Sequence, residues 1–563
     1  MKFLLYTSII IFFNSVQAKI IPFSIYHTND LHSHFDGVKY SNLQKTGFIK
    51  RGGYDRLATV IDTVRTQKRI NEEIVMGVDA GDFFAGTLFS ALAPSVMSRE
   101  FPEFEFFSLN QFDAVTLGNH EFDASNIGLE IMLEKAKKFS KSTSIVASNI
   151  FLKNKHSKLA PYIGNNSLIK TYVIKDFNSK AGNLRVAFLG ILGFDACLVS
   201  KATRADVGFI GFDDNRLKSD SGALTDYLNS MIKELKEKNK VQVVVISMHG
   251  GGDEALNIAK KLNLVDIIIA GHTHEVQFSI TNGIIISQTG SYGENLGLLE
   301  LFYDTETQKV KLTNVNKKPF INIDDSFKSD LNWLSKIKNW RLEAFKISGN
   351  EKSNPEEIIF TPKVDFIRES KIQNSFGVLI GSALLSEINK HQAGADFYFT
   401  SMGLIRNSLY KGVPYTRADL FELLSIGFDK NLSPGVETIT CYLTVKEVIS
   451  LVTFLEIYSH VSNNFAPVFS DNLKFNVSKY GIPFFNRIKN LTLNGKKIED
   501  YDRLIKIATN KYVIDNLGMV GSATYGLVKI DPKNEHGESI RTYPIYPKEY
   551  SLFIDYLKAY YTN

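Results

Sequence analysis

Residues 116–123 read T-L-G-N-H-E-F-D and close a short apolar run, Phe112 to Leu117, that predicts a buried strand. Gly118 turns that strand into a loop. Loops at the carboxyl ends of strands are where α/β sheets carry chemistry. Here three functional side chains arrive within five residues. Asn119 offers a neutral carbonyl oxygen as a ligand, His120 a titratable imidazole, and Asp123 a carboxylate able to orient that imidazole.

Outward from this loop, the other metal-ligand types also fall at expected strand ends. Asp30-Leu31-His32 ends a strand at residues 20–28, and residues two apart share a face, so both side chains can converge on one ion. Asp79-Ala80-Gly81-Asp82 ends the next strand, with a glycine permitting a tight turn. Ser247-Met248-His249 and Gly271-His272-Thr273-His274 follow two more. His32, His120, His249, His272 and His274 thereby take five of the 11 histidines in the chain. Carboxylate, amide and imidazole donors without thiolates suit divalent ions such as Zn²⁺, Mn²⁺ or Fe²⁺. Seven ligands exceed what one ion needs while keeping open positions, and they suit two ions sharing a carboxylate. Paired ions about 3.5–4 Å apart activate water and clamp an in-line displacement at phosphorus. The site therefore predicts hydrolysis of a phosphate ester.

The rest of the chain fits a layered α/β protein. Strands are expected at 73–79, 143–147, 171–177, 184–192, 241–247 and 265–270, and helices at 54–69, 91–110, 125–139, 224–238 and 254–262. A charged helical segment, 325–346, precedes G-N-E-K-S-N-P-E-E, which reads as a linker, and a second mixed α/β unit follows from Pro362. At 563 residues the chain is too long for one core. The first eighteen residues carry Lys2, an apolar run Phe3 to Phe13, and Val16-Gln17-Ala18, the pattern of a secretory signal peptide. Export to the periplasm or outside the cell is the expectation, with no stable membrane anchor, since no later apolar run approaches the roughly 20 residues that span a bilayer. A balance of 65 basic against 60 acidic residues, without a basic stripe, excludes nucleic acid as the expected partner. Two cysteines, Cys197 and Cys441, do not make a disulfide scaffold; both are expected buried and free.

The stretches H-T-N-D-L-H-S-H-F (27–35), D-A-G-D-F-F-A-G-T (79–87), F-D-A-V-T-L-G-N-H-E-F-D (112–123) and G-H-T-H (271–274) resemble the calcineurin-like metallophosphoesterases, and more closely the exported 5'-nucleotidase family. The resemblance implies a four-layer α/β/β/α catalytic domain over residues 19–320, a helical linker at 321–361 and a mixed α/β substrate-binding domain at 362–563. It implies two divalent ions (Zn, Mn, Fe or Mg), the first held by Asp30, His32 and His274, the second by Asn119, His249 and His272, with Asp82 bridging. His120, paired with Asp123, would stabilise the transferring phosphoryl group and protonate the leaving oxygen. The substrate implied is a small-molecule phosphate ester, a nucleoside 5'-monophosphate first of all. Another phosphomonoester or a nucleotide diphosphate derivative is the second expectation, and a non-catalytic metal-containing binding protein the third.

In the second unit the likeness is looser. The family's N-G-G-G-I-R stands here as S-M-G-L-I-R, keeping Arg406 as a phosphate contact, and Arg368 opens a segment that would supply another. The family's P-F-G-N stands as S-I-G-F, with Ile426 where a base-stacking phenylalanine is expected. Tyr512, in T-N-K-Y, stands for the second aromatic of the base clamp. A weakened clamp and broad base preference follow as expectations.

Overall fold

The computed structural model describes residues 19–561, apart from 43–46, 165, 201–205, 214–217, 314–315, 317, 351–352, 370–373, 460–465, 479–486 and several positions between 518 and 527. The expected signal segment lies outside the described residues. Two large sheets dominate the first unit among the described residues. The first is eight-stranded and built on β1 (Ile20–Thr28), β2 (Ile74–Asp79), β3 (Ala114–Thr116) and β4 (Ser144–Val146), which run parallel and adjacent. The second has six strands: β5 (Tyr172–Ser179), β6 (Gly182–Leu192), β7 (Val243–His249), β8 (Ile267–Ala270), β9 (Val276–Thr281) and β10 (Ile284–Thr289), in the order β9-β10-β8-β7-β6-β5. An antiparallel strand, β11 (Asn295–Asp304), returns to pair with β1.

Near-continuous apolar runs such as Val243 to Ile246 suit strands covered on both faces. Phe23, Ile25, Met76 and Val78 of the first sheet pack against Val186, Phe188, Val245 and Ile267 of the second. The outer face of the second sheet is covered by helices 221–237 and 252–259, whose Leu224, Leu228, Ile232 and Ile258 are buried. On the first sheet's outer face lies α1 (Tyr54–Ile70), with Leu57, Ile61 and Val64 buried at helical spacing. The result is the four-layer α/β/β/α arrangement.

The expected helix at 91–110 is broken: a 3₁₀ turn at Leu88–Ala91 precedes a shorter helix, α2 (Pro102–Leu109). Pro102 accounts for the late start, because its fixed φ suits the first helical position. The charged segment at 325–346 folds as α3 (Leu331–Ile347), started by Asp330, which accepts the N–H groups of Asn332 and Trp333. It packs on the first unit, Trp333 edge-on to Phe106 at 5.2 Å and Trp340 edge-on to Phe35 at 5.5 Å. Beyond it, strands 397–401, 437–444, 467–469, 504–510 and 545–548 form a mixed five-stranded sheet. Helices 375–390, 445–459 and 549–561 accompany it. Cys197 and Cys441 are buried and form no disulfide. Among the described residues no helix is long and apolar enough to cross a membrane.

Candidate active site

β1, β2, β3, β7 and β8 all end at one edge of the stacked sheets, and there the seven candidate ligands meet. Two glycines permit the approach. A Cβ on Gly118 would come within 2.2 Å of Asp82 Oδ1, and one on Gly271 within 3.0 Å of His249 Nδ1. Asp30 (φ 51°), His32 (φ 48°), Asp82 (φ 52°), His272 (φ 83°) and His274 (φ 61°) all adopt left-handed backbone. Five of seven in a region that L-residues avoid is strain that only an over-determined site sustains.

The donor atoms form two pockets around Asp82. In one, His32 Nε2 and His274 Nε2 lie 3.1 Å apart, with Asp30 Oδ1 at 3.8 and 3.4 Å respectively. Asp30 Oδ2 is engaged by the Asn29 side-chain amide and the His272 N–H, both at 2.8 Å, so Oδ1 is left buried without a hydrogen-bond partner among the described residues. In the other pocket, His249 Nδ1 lies 2.9 Å from the Ala80 carbonyl, which can only accept, so Nδ1 carries the proton. His249 Nε2 then faces Asp82 Oδ2 at 3.0 Å and Asn119 Oδ1 at 3.2 Å. A nitrogen lone pair facing two oxygens needs a cation or a proton between them. The donor set therefore fits divalent ions, in the groups Asp30–His32–His274, Asp82–His249–His272 and, between them, His32–Asp82–His120.

Electrostatics agree. Burial disfavours the charged form of Asp82, but His249 and His120 outweigh it and hold the carboxyl well below its ordinary value. Burial also works against a charged His249, yet Asp82 pushes it up to about 10. His272, neutralised by burial and by the neighbouring His249, falls to about 3 and presents a neutral imidazole.

His120 borders both pockets and itself groups with His32 and Asp82 closely enough to share an ion, while its other ring nitrogen is engaged by Asp123. Its Nδ1 lies 2.6 Å from Asp123 Oδ2, its Nε2 4.0 Å from Asp82 Oδ2, and its backbone N–H donates to Asp82 Oδ1 at 2.9 Å. Burial opposes the imidazolium, but Asp123 and Asp82 prevail and the pKa is raised.

The second unit brings in Arg406, Arg368 and Tyr512. Arg406 Nε and Nη2 are buried with no hydrogen-bond partner among the described residues, and its charge reaches His32 and His120. Arg368 donates through Nε to the Met402 carbonyl at 3.3 Å and feels both Tyr292 and Arg406. Tyr512 lies within electrostatic reach of Asp123 and Arg406, its hydroxyl pKa raised chiefly by burial. Ile426 is only 8% exposed and offers no open face. Phe428, two residues on, stacks on Phe84 of the first unit at 5.5 Å and 7°.

Residues 23–276 match the family model described as calcineurin-like phosphoesterase. A trifunctional nucleotide phosphoesterase of Bacillus subtilis (strain 168) is 23% identical over 414 residues, covering 69% of this chain and 25% of that protein. The 5'-nucleotidase of Rattus norvegicus is 25% identical over 352 residues, covering 58% of this chain and 54% of that one. A 5'-nucleotidase precursor from Thermus thermophilus superposes with a TM-score of 0.71 at 20% identity, over 96% of both chains. Residues 23–276 are thus similar to calcineurin-like phosphoesterases, and the chain as a whole is similar to 5'-nucleotidases. The chain spans a quarter to about half the length of these two curated relatives. The Thermus likeness carries the fold alone, over both units of the chain.

Sequence reasoning missed three participants. Asn29 holds Asp30 through the bond above. Tyr292, at φ 59°, stacks on His34 at 3.9 Å and flanks His32 and His274. Glu121, inside the organising loop, is fully buried. Burial and Asp82 push its carboxyl upward, yet both its oxygens accept backbone N–H groups, the arrangement of a carboxylate. A carboxylate next to a candidate acid in an apolar stretch was the available signal for Glu121.

Proposed function

We propose that this protein is a two-metal phosphohydrolase acting on nucleoside 5'-monophosphates, with residues 19–320 as catalytic domain, 321–361 as linker and 362–563 as substrate-binding domain, working outside the cytoplasm. The observation that carries the reading is the His120–Asp123 pair at 2.6 Å beside seven converging ligands. A purely structural metal centre needs no such proton donor.

Asp30, His32, His274 and Asp82 would hold one ion, and Asn119, His249, His272 and Asp82 the other. Bound there, divalent ions supply charge neutralisation for the phosphoryl group and an acidified water. The chain's own residues do the rest. Arg406, with Arg368 behind it, offers a guanidinium fork to the phosphate oxygens. Asp123 fixes the Nδ1–H tautomer of His120, so the transferable proton sits on Nε2, facing the leaving oxygen. Tyr512 supplies a single aromatic surface for a base.

A second reading, broad phosphomonoesterase activity, is favoured by the buried Ile426 and by the engagement of Phe428 with Phe84. A substrate panel with Mn²⁺, Zn²⁺ or Mg²⁺ decides. We expect hydrolysis of several 5'-monophosphates with modest base preference, and activity on phosphates lacking a base. Arg406→Ala should raise KM for every substrate, and Tyr512→Ala only for those carrying a base, by roughly 5–100-fold for a lost stacking surface. Absence of phosphatase activity with all three metals would overturn the proposal. Strict selectivity for one nucleobase would overturn the one-sided base site.

A further inference from the structure

Glu121 lies between His120 and Phe122, and no step described above uses it. Its Oε2 accepts the N–H of Asp82 at 3.1 Å and that of Gly118 at 2.5 Å, while Oε1 accepts the N–H of Phe84 at 3.0 Å. Asp82 and Phe84 belong to the loop after β2, and Gly118 to the loop after β3. One carboxylate thus joins the loop bearing Asp82 to the loop bearing Asn119 and His120.

We propose that Glu121 is a positioning residue that sets the spacing between Asp82 and the Asn119–His120 pair, and through it the affinity of the second metal pocket. The inference rests on the two-metal reading above. The loops approach as closely as backbone allows, since even a methyl group on Gly118 would strike Asp82. Two buried carboxylates, Asp82 and Glu121, face this gap, and N–H groups between them offset their repulsion. Glutamine at 121 would turn one acceptor into a donor. At least one of the three amides would then meet another donor in a buried place. Because the third amide is that of Phe84, whose ring meets Phe428, the same carboxylate also anchors the contact with the second unit.

The experiment is Mn²⁺ titration of the metal-stripped full-length protein by calorimetry, with steady-state kinetics on p-nitrophenyl phosphate and thermal melting. In Glu121→Gln we expect one of the two Mn²⁺ affinities, that of the pocket holding Asn119, to fall roughly 10–100-fold while the other holds. We expect kcat to fall with it below metal saturation, and KM to stay within about twofold, because Arg406 is untouched. Glu121→Asp keeps the charge but is one methylene short; it should recover part of the affinity, and it carries the same readouts if the glutamine variant does not fold. Two unchanged Mn²⁺ affinities and unchanged kcat per folded molecule, with only a lowered melting temperature, would overturn the inference alone. Wild-type protein binding fewer than two ions would overturn the two-metal reading and this inference with it.

Discussion

His120 shows how one residue's role follows from its partners. Asp123, three residues on, binds Nδ1 at 2.6 Å, and Asp82 adds negative charge on the Nε2 side at 4.0 Å. Against the penalty of burial these two carboxylates raise the pKa, so the imidazolium persists to higher pH. His120→Ala should keep its metal content while kcat falls roughly 10²–10⁴-fold, with nitrophenyl phosphate, whose leaving group needs no proton, affected least. Loss of metal in that variant would make His120 a ligand instead. Asp123→Asn removes one of the charges that raise the pKa, so the alkaline fall of kcat should move to lower pH; an unmoved limb would exclude His120 as the acid. The spacing of His120 and Asp123 was legible because i and i+3 meet in a single turn. Glu121, in the same eight residues, was not: its bonds run to a loop more than thirty residues earlier, which no local pattern reports.

At the scale of elements, the alternation of strands and helices was readable because apolar runs and helical spacing are local signals, and α1 and β7 lie close to where those signals put them. The helical region expected around 91–110 is helical at its two ends; its aromatics, Phe101, Phe104, Phe106 and Phe107, are buried for the sake of the core, and Pro102 decides where the second helix begins. That helix carries a titratable consequence. Glu103 is fully buried, accepts Ser33 Oγ at 2.5 Å through Oε1, and has no hydrogen-bond partner for Oε2 among the described residues. Burial raises its carboxyl from 4.5 to about 7. A raised acid favours the folded state while protonated, so this contribution is fully present below pH 4.5 and lost as pH rises through about 7. Glu103→Gln keeps an acceptor for Ser33 and stays neutral. It should be more stable than the wild type at pH 8 by about 1–3 kcal/mol and should flatten the stability profile between those pH values. Equal denaturant midpoints for the two proteins at pH 8 would rule this out.

At the scale of the whole molecule, every candidate metal ligand comes from the first unit, whereas Arg406, Arg368 and Tyr512 come from the second. The sequence displayed both sets, but the way one half meets the other is long-range and left no motif. The two units share one buried apolar cluster, in which Phe35, Phe84 and Phe89 of the first and Leu420 and Phe421 of the second take part. Polar contacts add to it: Lys39 pairs with Asp419 at 2.6 Å, and Ser425 Oγ donates to the Gly86 carbonyl at 3.0 Å. Partly exposed ion pairs of this sort contribute little, about 0–1 kcal/mol each. The parallel stack of Phe84 on Phe428 buries ring area directly behind the Asp82 loop and is the stronger candidate for fixing the distance between Arg406 and the metal pockets. An aromatic pair adds about 0.5–1.5 kcal/mol beyond its buried area. Phe428→Ala should therefore loosen the placement of Arg406 and raise KM roughly 2–10-fold for all phosphate substrates, taking about 1.4 kcal/mol per tenfold. Metal content and kcat at saturating substrate should stay near wild type, since ligands and acid remain on the other unit. Steady-state kinetics alongside metal analysis makes the distinction: a fall in kcat or in bound metal with KM unchanged would show that Phe428 supports the Asp82 loop itself rather than the meeting of the two units.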